Sequence, residues 1–344
     1  MDLDYEHKYL KYKKKYLDLK EYSGGGFFDF IFKPTRKQVL AAVNRNGLAL
    51  KKYKDFQNDN DVVLAAVQQD GRSLEYASND LRGNKEIVLE TVKNYGLALE
   101  YASNDLRGDI EVVLAAVLQE NRALYYASPE LQNNKQIVLN AVKKRGLALE
   151  FAPKELKADN DIVLAAVQQN GYALYYASKE LKYNREVVLA AIRQNGLALQ
   201  YASPELQNNK QIVLAAVQSN GLALQYASDE LRDNIEVVLT AVQQDGRALK
   251  YASNKFQNDE KIVLVAVQQN GHALQYASKE LRDNINVVLA AVKKDHNAIA
   301  YASEKLKNDS DVIQAYKKGT ENLKMKNKMM WMNMKKNNKD DKLY

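Results

Sequence analysis

From residue 35 to residue 308 the apolar positions follow a pattern 25 residues long, repeated eleven times. One repeat, Asp59 to Gly83, reads DNDVVLAAVQQDGRSLEYASNDLRG, and the next, Asn84 to Gly108, reads NKEIVLETVKNYGLALEYASNDLRG. A period of that length marks a helical repeat, in which each copy buries its apolar face only against its neighbours. The opening column holds Asp or Asn (Asp59, Asn84, Asp109, Asn134 and onward to Asp309), with Thr35 at its head. Such side chains accept hydrogen bonds from the free N–H groups of a first helical turn, so the column predicts N-caps. About eleven residues of helix follow, apolar or small on nearly every face, as in Val62, Val63, Leu64, Ala66 and Val67. That composition suits a helix flanked on both sides.

A glycine follows this helix in nine of the eleven repeats, from Gly47 to Gly271. It predicts a left-handed residue just past the helix end, a conformation glycine adopts without a Cβ clash. Asn121 and His296 hold the position in the other two. The segment A-L-x-Y-A-S that comes next predicts a short second helix ending near the serine. Pro129 and Pro204 directly follow that serine and Pro153 replaces it. Proline inside a helix costs about 3 kcal/mol but suits its first position, so the serine caps a separate single turn. The expected fold class is all-α: an α-solenoid of about eleven 25-residue helical-hairpin repeats across residues 34–319. A twelfth first helix, from Asp309 to about Gly319, closes it. Repeat 1 lacks one residue and carries Lys51-Lys52-Tyr53-Lys54 where the others read x-Y-A-S, so its second half is expected to differ.

Two flanks depart from the pattern. In residues 1–33, Tyr5, Tyr9, Tyr12, Tyr16 and Leu19 form one aromatic stripe at helical spacing, before Gly24–Gly26 and the apolar run Phe27–Phe32. The stripe predicts a short amphipathic helix that docks or self-associates. Residues 320–344 are rich in Lys, Asn and Met, and are expected to be a disordered basic tail.

The net charge of +7 sits unevenly. Residues 1–33 carry 7 basic against 6 acidic side chains and residues 312–344 carry 9 against 3, leaving 34 of each sign between them. The repeats are neutral and the basicity belongs to the tail. Absence of cysteine excludes disulfides and thiolate chemistry. No apolar leader segment or run of membrane-spanning length appears, so a chain that is not secreted and has no integral membrane span is expected.

With V-L-A-A-V-x-x-x-G-x-A-L-x-Y-A-S-x-E-L in view, the array resembles the DUF 4116 repeat family over roughly residues 36–318. The leader YLKYKKKYLDL, Tyr9 to Leu19, resembles a segment at the start of many mimivirus-type giant-virus proteins. Together these resemblances imply a giant-virus protein placed in the host cytoplasm or viral factory, or in the virion. They imply no activity and no catalytic residues.

The chemistry legible in the residues agrees. Histidine occurs only at positions 7, 272 and 296, none with a partner at metal-ligand or triad spacing, and a uniform repeat supplies the same residues everywhere. No catalytic, cofactor-binding or metal-binding residue is expected, and the chain reads as no enzyme. The tyrosine column (Tyr76, Tyr101, Tyr126 and onward) invites comparison with base-stacking platforms, but a neutral array offers no groove for phosphates, so these read as core residues. Columns that vary are more informative, because core columns vary little. Arg122, Tyr125, Tyr172, Tyr175 and Tyr183 give repeats 4 and 6 an aromatic and arginine content typical of interface hot spots. The expected function is a non-enzymatic scaffold for protein–protein interaction. The alternatives are nucleic-acid association through the basic tail and membrane-surface attachment through the tail or Phe27–Phe32.

Overall fold

A computed structural model describes residues 33–340, so the aromatic stripe, the glycine break and the Phe27–Phe32 run lie outside the described residues. Helix is the only regular structure among the described residues. The chain comprises two compact bodies, Met1–Ser128 and Pro129–Tyr344, each built from the repeats. A repeat stack has no single core to bind all its copies into one unit.

Each repeat has three parts. In the eighth, a ten-residue α-helix covers Lys210–Ser219, a six-residue 3-10 helix covers Gly221–Tyr226, and a four-residue α-turn covers Asp229–Arg232. The N-caps fall where the Asp/Asn column places them: Asn209 Oδ1 accepts from the Gln211 and Ile212 N–H groups at 3.1 and 3.2 Å. Thr35 adds a reciprocal box with Gln38. Within the helix the third, fourth, seventh and eighth positions, such as Ile212, Val213, Ala216 and Val217, are fully buried. They face the neighbouring helices and the row of 3-10 segments beside them.

The second helix is 3-10 rather than α and starts at the glycine itself. With three residues per turn, positions three apart eclipse. Gly221 and Leu224 therefore share the buried edge, Ala223 and Tyr226 the next, and Leu222 and Gln225 the outer one. Runs of six are uncommon for this helix. Its N-terminus is tied by Asn220, whose Oδ1 accepts from the Leu222 N–H at 3.0 Å.

The glycine column is not left-handed. None of the described glycines has a φ in that region. A Cβ at Gly221 would instead strike the carbonyl oxygen of Ala241, in the next repeat, and lie 3.0 Å from the Asp245 backbone nitrogen. Gly47, Gly96, Gly146, Gly171, Gly196, Gly246 and Gly271 meet the equivalent alanine carbonyl. At Gly71 a Cβ would instead meet the Tyr95 Cβ at 2.5 Å, but at these eight positions glycine is needed because two backbones touch. The N–H freed at that contact is used as well: Gly221 donates to Gln244 Oε1 at 2.6 Å and Gly171 to Gln194 Oε1 at 2.8 Å.

In several repeats a Lys or Gln after the turn leucine, in a column the sequence pattern does not single out, donates to carbonyls of the 3-10 segment. Gln207 Nε2 lies within reach of the carbonyls of Leu199, Gln200 and Ala202 at 3.1, 3.3 and 3.2 Å. Gln257 repeats this, and Lys182 Nζ reaches the Tyr175 carbonyl at 2.7 Å. Replacing Gln207 with Leu leaves half-buried carbonyls without that donor and is expected to cost about 1–3 kcal/mol, read as a lower urea midpoint at unchanged m-value.

The serine caps the last turn as expected: Ser203 Oγ accepts from the Leu206 N–H at 3.3 Å, with Pro204 in the first turn. Its backbone N–H also donates to the Lys182 carbonyl of the preceding repeat at 3.0 Å. The two repeats without the serine form their turns as 3-10 helix instead, at Lys54–Phe56 and Leu156–Ala158. Repeat 1 thus departs only in this turn, and its Gly47–Lys52 segment matches the others.

The last helix does not stop at Gly319. It runs from Ser310 to Asp340, so the described part of the segment expected to be a disordered tail continues this helix. Gly319 is a packing residue: a Cβ there would lie 2.6 Å from the His296 Cβ. His296 is one of the two side chains in the glycine column, and the space it takes is given back by a glycine facing it.

Candidate partner-binding face

The two variable columns are the second and fifth residues of the 3-10 segments, three apart and hence on one edge. In the first body this edge carries Arg122 and Tyr125, within Asn121–Tyr126. Arg122 is exposed, and Tyr125 is 71% exposed with its ring edge-on to Tyr126 at 5.5 Å. In the second body it carries Tyr172 and Tyr175, within Gly171–Tyr176. Tyr172 is half-buried and Tyr175 is 56% exposed.

Tyr172 and Tyr175 are brought together around a third ring. Tyr201, one repeat on, packs edgewise against Tyr172 at 6.2 Å and Tyr175 at 5.2 Å between centroids. Tyr176 closes on Tyr175 at 5.0 Å. Beneath, the Lys182 ammonium lies 5.5 Å from the Tyr175 ring centroid, and its burial pushes the Lys182 pKa down. Tyr183, 44% exposed, is the C-cap of the turn Lys179–Lys182 and is not among the rings packed there.

The tyrosine column is not core. Every member from Tyr76 to Tyr301 is half-buried, as is Phe151. Each ring lies at the sixth position of its 3-10 segment, partly packed and partly exposed. Burial raises the pKa of Tyr176, and the Glu150 carboxylate that accepts its hydrogen bond raises it further; Glu100 does the same for Tyr126. These rings extend the aromatic surface beyond the residues that sequence variation singles out. The signal available in sequence was the spacing of three between the variable columns.

Where the α-helices begin, each body is charged and internally paired. Arg36 bridges Asp59 and Asp61; Lys85 bridges Asp109 and Glu111; Lys135 bridges Asp159 and Asp161. Each clamp joins an odd-numbered repeat to the next. Arg36 holds the Asp59 pKa down, assisted by the Val62 N–H. For Asp109 and Asp159 burial pushes up, but the lysine and the N-cap N–H groups outweigh it and the pKa falls. A carboxylate depressed by folding stabilises the fold above its unfolded pKa and loses that contribution as pH falls through the folded value. Thermal midpoints are therefore expected to hold from neutrality to about pH 5 and to fall below about pH 4. The readout is the circular dichroism melt.

Among the described residues no group of three or more His, Asp or Glu side chains is placed to hold a metal ion, and no helix is long and apolar enough to cross a membrane. No curated protein and no solved structure matches the chain. The family model for a domain of unknown function, DUF4116, matches residues 35–82, 84–132, 134–182, 184–232, 234–282 and 284–318. The first five matches each cover two repeats, and the first three each enclose one of the cation clamps. The chain belongs to the DUF4116 family.

Proposed function

We propose that this protein is a non-enzymatic repeat scaffold that binds protein partners through the outer edges of its 3-10 segments. The supporting observation is the contrast between columns. Helix and 3-10 positions that build the stack repeat nearly unchanged, while the second and fifth 3-10 positions vary and present Arg122 and Tyr125 in one body, Tyr172 and Tyr175 in the other. Large side chains held on regular backbone lose little conformational freedom on binding, as suits hot spots. Affinity purification of the tagged chain from its host, after nuclease treatment, is expected to recover discrete proteins that Tyr125→Ala or Tyr175→Ala releases. Recovery unaffected by either substitution would overturn this reading.

A second reading, nucleic-acid association, is favoured by the basic segment that the last helix carries past the repeats. Between residues 320 and 340 lie six lysines against Glu321 and Asp340. It predicts binding that disappears on deleting residues 320–344 and weakens steeply with salt. The leader resemblance supports placing the protein in a giant virus, acting in the host cytoplasm or viral factory or packaged in the virion. Detection in purified virions tests the last of these.

A further inference from the structure

The chemistry of a partner follows from how the outer edge changes along the second body; this rests on the scaffold reading. Three successive rungs carry no charge: Tyr172 with Tyr175, Leu197 with Gln200, and Leu222 with Gln225. Glu150 is exposed at one end of this window and Lys250 at the other. The carboxamides are held in place, since Gln200 Nε2 donates to the Leu197 carbonyl at 3.1 Å and Gln225 Nε2 to the Leu222 carbonyl at 3.0 Å. The window is a shallow ladder of aromatic and aliphatic rungs with fixed polar groups between them.

Packed helices stand about 8–10 Å apart. A polyproline II segment advances about 3.1 Å per residue with three residues per turn, so the same face returns every ~9 Å. One residue in three would meet each rung. Such a segment has no internal hydrogen bonds, and its free carbonyls suit the tyrosine hydroxyls; aromatic ladders are how proline-rich ligands are held elsewhere. A strand would need a sheet edge, which no described residue supplies. Single-stranded nucleic acid would need cations along the window, but the rungs carry none, the Lys182 ammonium beside Tyr175 is spent on that residue's carbonyl, and Glu150 stands at the margin.

We propose that the second body binds a proline-rich segment of a partner protein, in the polyproline II conformation, along Tyr172, Tyr175, Leu197 and Leu222, with a basic end at Glu150 and an acidic end at Lys250. Four rung spacings separate those charges, about 35 Å, which a segment of about eleven residues spans.

The probe is a synthetic peptide of that length with proline at every third position, arginine at one end and aspartate at the other, titrated by fluorescence anisotropy into the full chain. Binding is expected to weaken about tenfold or more when glycine replaces every proline, because the preformed conformation is lost. Tyr175→Ala and Leu222→Lys are each expected to weaken it about as much, with the circular dichroism melt unchanged. Glu150→Gln and Lys250→Gln should weaken it less and flatten its salt dependence. Equal affinity for the glycine peptide, or indifference to both Tyr175→Ala and Leu222→Lys, overturns the proposal. So does an oligonucleotide that binds through Tyr175, or self-association that needs it. A protein partner lacking proline-rich sequence but dependent on Tyr175 overturns this inference and leaves the scaffold reading standing. Loss of every Tyr175- and Tyr125-dependent protein contact would end both.

Discussion

Replacing Gly221 with alanine is expected to destabilise the protein by about 3 kcal/mol or more, although the same change normally stabilises by shrinking the unfolded ensemble. The added Cβ would meet the Ala241 carbonyl oxygen and the backbone nitrogen of Asp245, neither of which can turn aside as a side chain tip could. Relief requires prising two repeats apart, which also stretches the 2.6 Å bond from the Gly221 N–H to Gln244. Asparagine makes the comparison sharp. Were glycine needed for a left-handed backbone, Gly221→Asn would be milder than Gly221→Ala, because asparagine tolerates that region. With backbone contact as the cause, asparagine is no better. Urea unfolding of both variants decides between them.

Leu199→Ala is expected to cost about 2–5 kcal/mol. Leu199 is fully buried at the eclipsed position of its 3-10 segment, and its carbonyl also takes a bond from Gln207. The distribution of that loss matters as much as its size. Repeats lean only on their neighbours, so hydrogen exchange should accelerate across Gly196–Tyr201 and the repeats beside it, while the helix Ile285–Lys294 keeps its protection. Uniform acceleration through the whole body would contradict nearest-neighbour stacking.

How much of this was legible in the chain depended on whether a residue acts within its own repeat or on the next. As caps, the Asp/Asn and serine side chains and the proline after them act on their own helix, and apart from Ser253, which makes no cap bond, they stand where the sequence pattern places them. The glycine column acts on the following repeat. Its composition matches a left-handed helix end, and only the approach of the Ala241 carbonyl separates the two explanations. The Lys and Gln column after the turn leucine is hidden for a different reason. Lys157, Lys182, Gln207 and Gln257 share one task, donation to carbonyls of their own 3-10 segment, which a division into charged and neutral residues splits apart, while Arg107 donates to the Tyr126 carbonyl of the next repeat. The 3-10 period itself was present in the spacing of the variable columns, but Gly, Ala, Leu and Tyr at the first, third, fourth and sixth positions also fit a short α-helix. Gly319 has the sequence appearance of one more helix stop, but the helix continues through it and the residue makes room for His296. The candidate residues divided accordingly: Tyr172 and Tyr175 share an edge because they lie three apart, and Tyr183, eight residues further on, belongs to the turn.

The scaffold account is tested most directly by placing a photo-crosslinking amino acid at Tyr175, and in a second protein at Gln218, exposed on the α-helical side of the same body. Irradiated in the host cell, the first is predicted to trap one or a few defined proteins and the second to trap none of them. Crosslinks that are the same from both positions, or nucleic acid alone from Tyr175, would contradict the account.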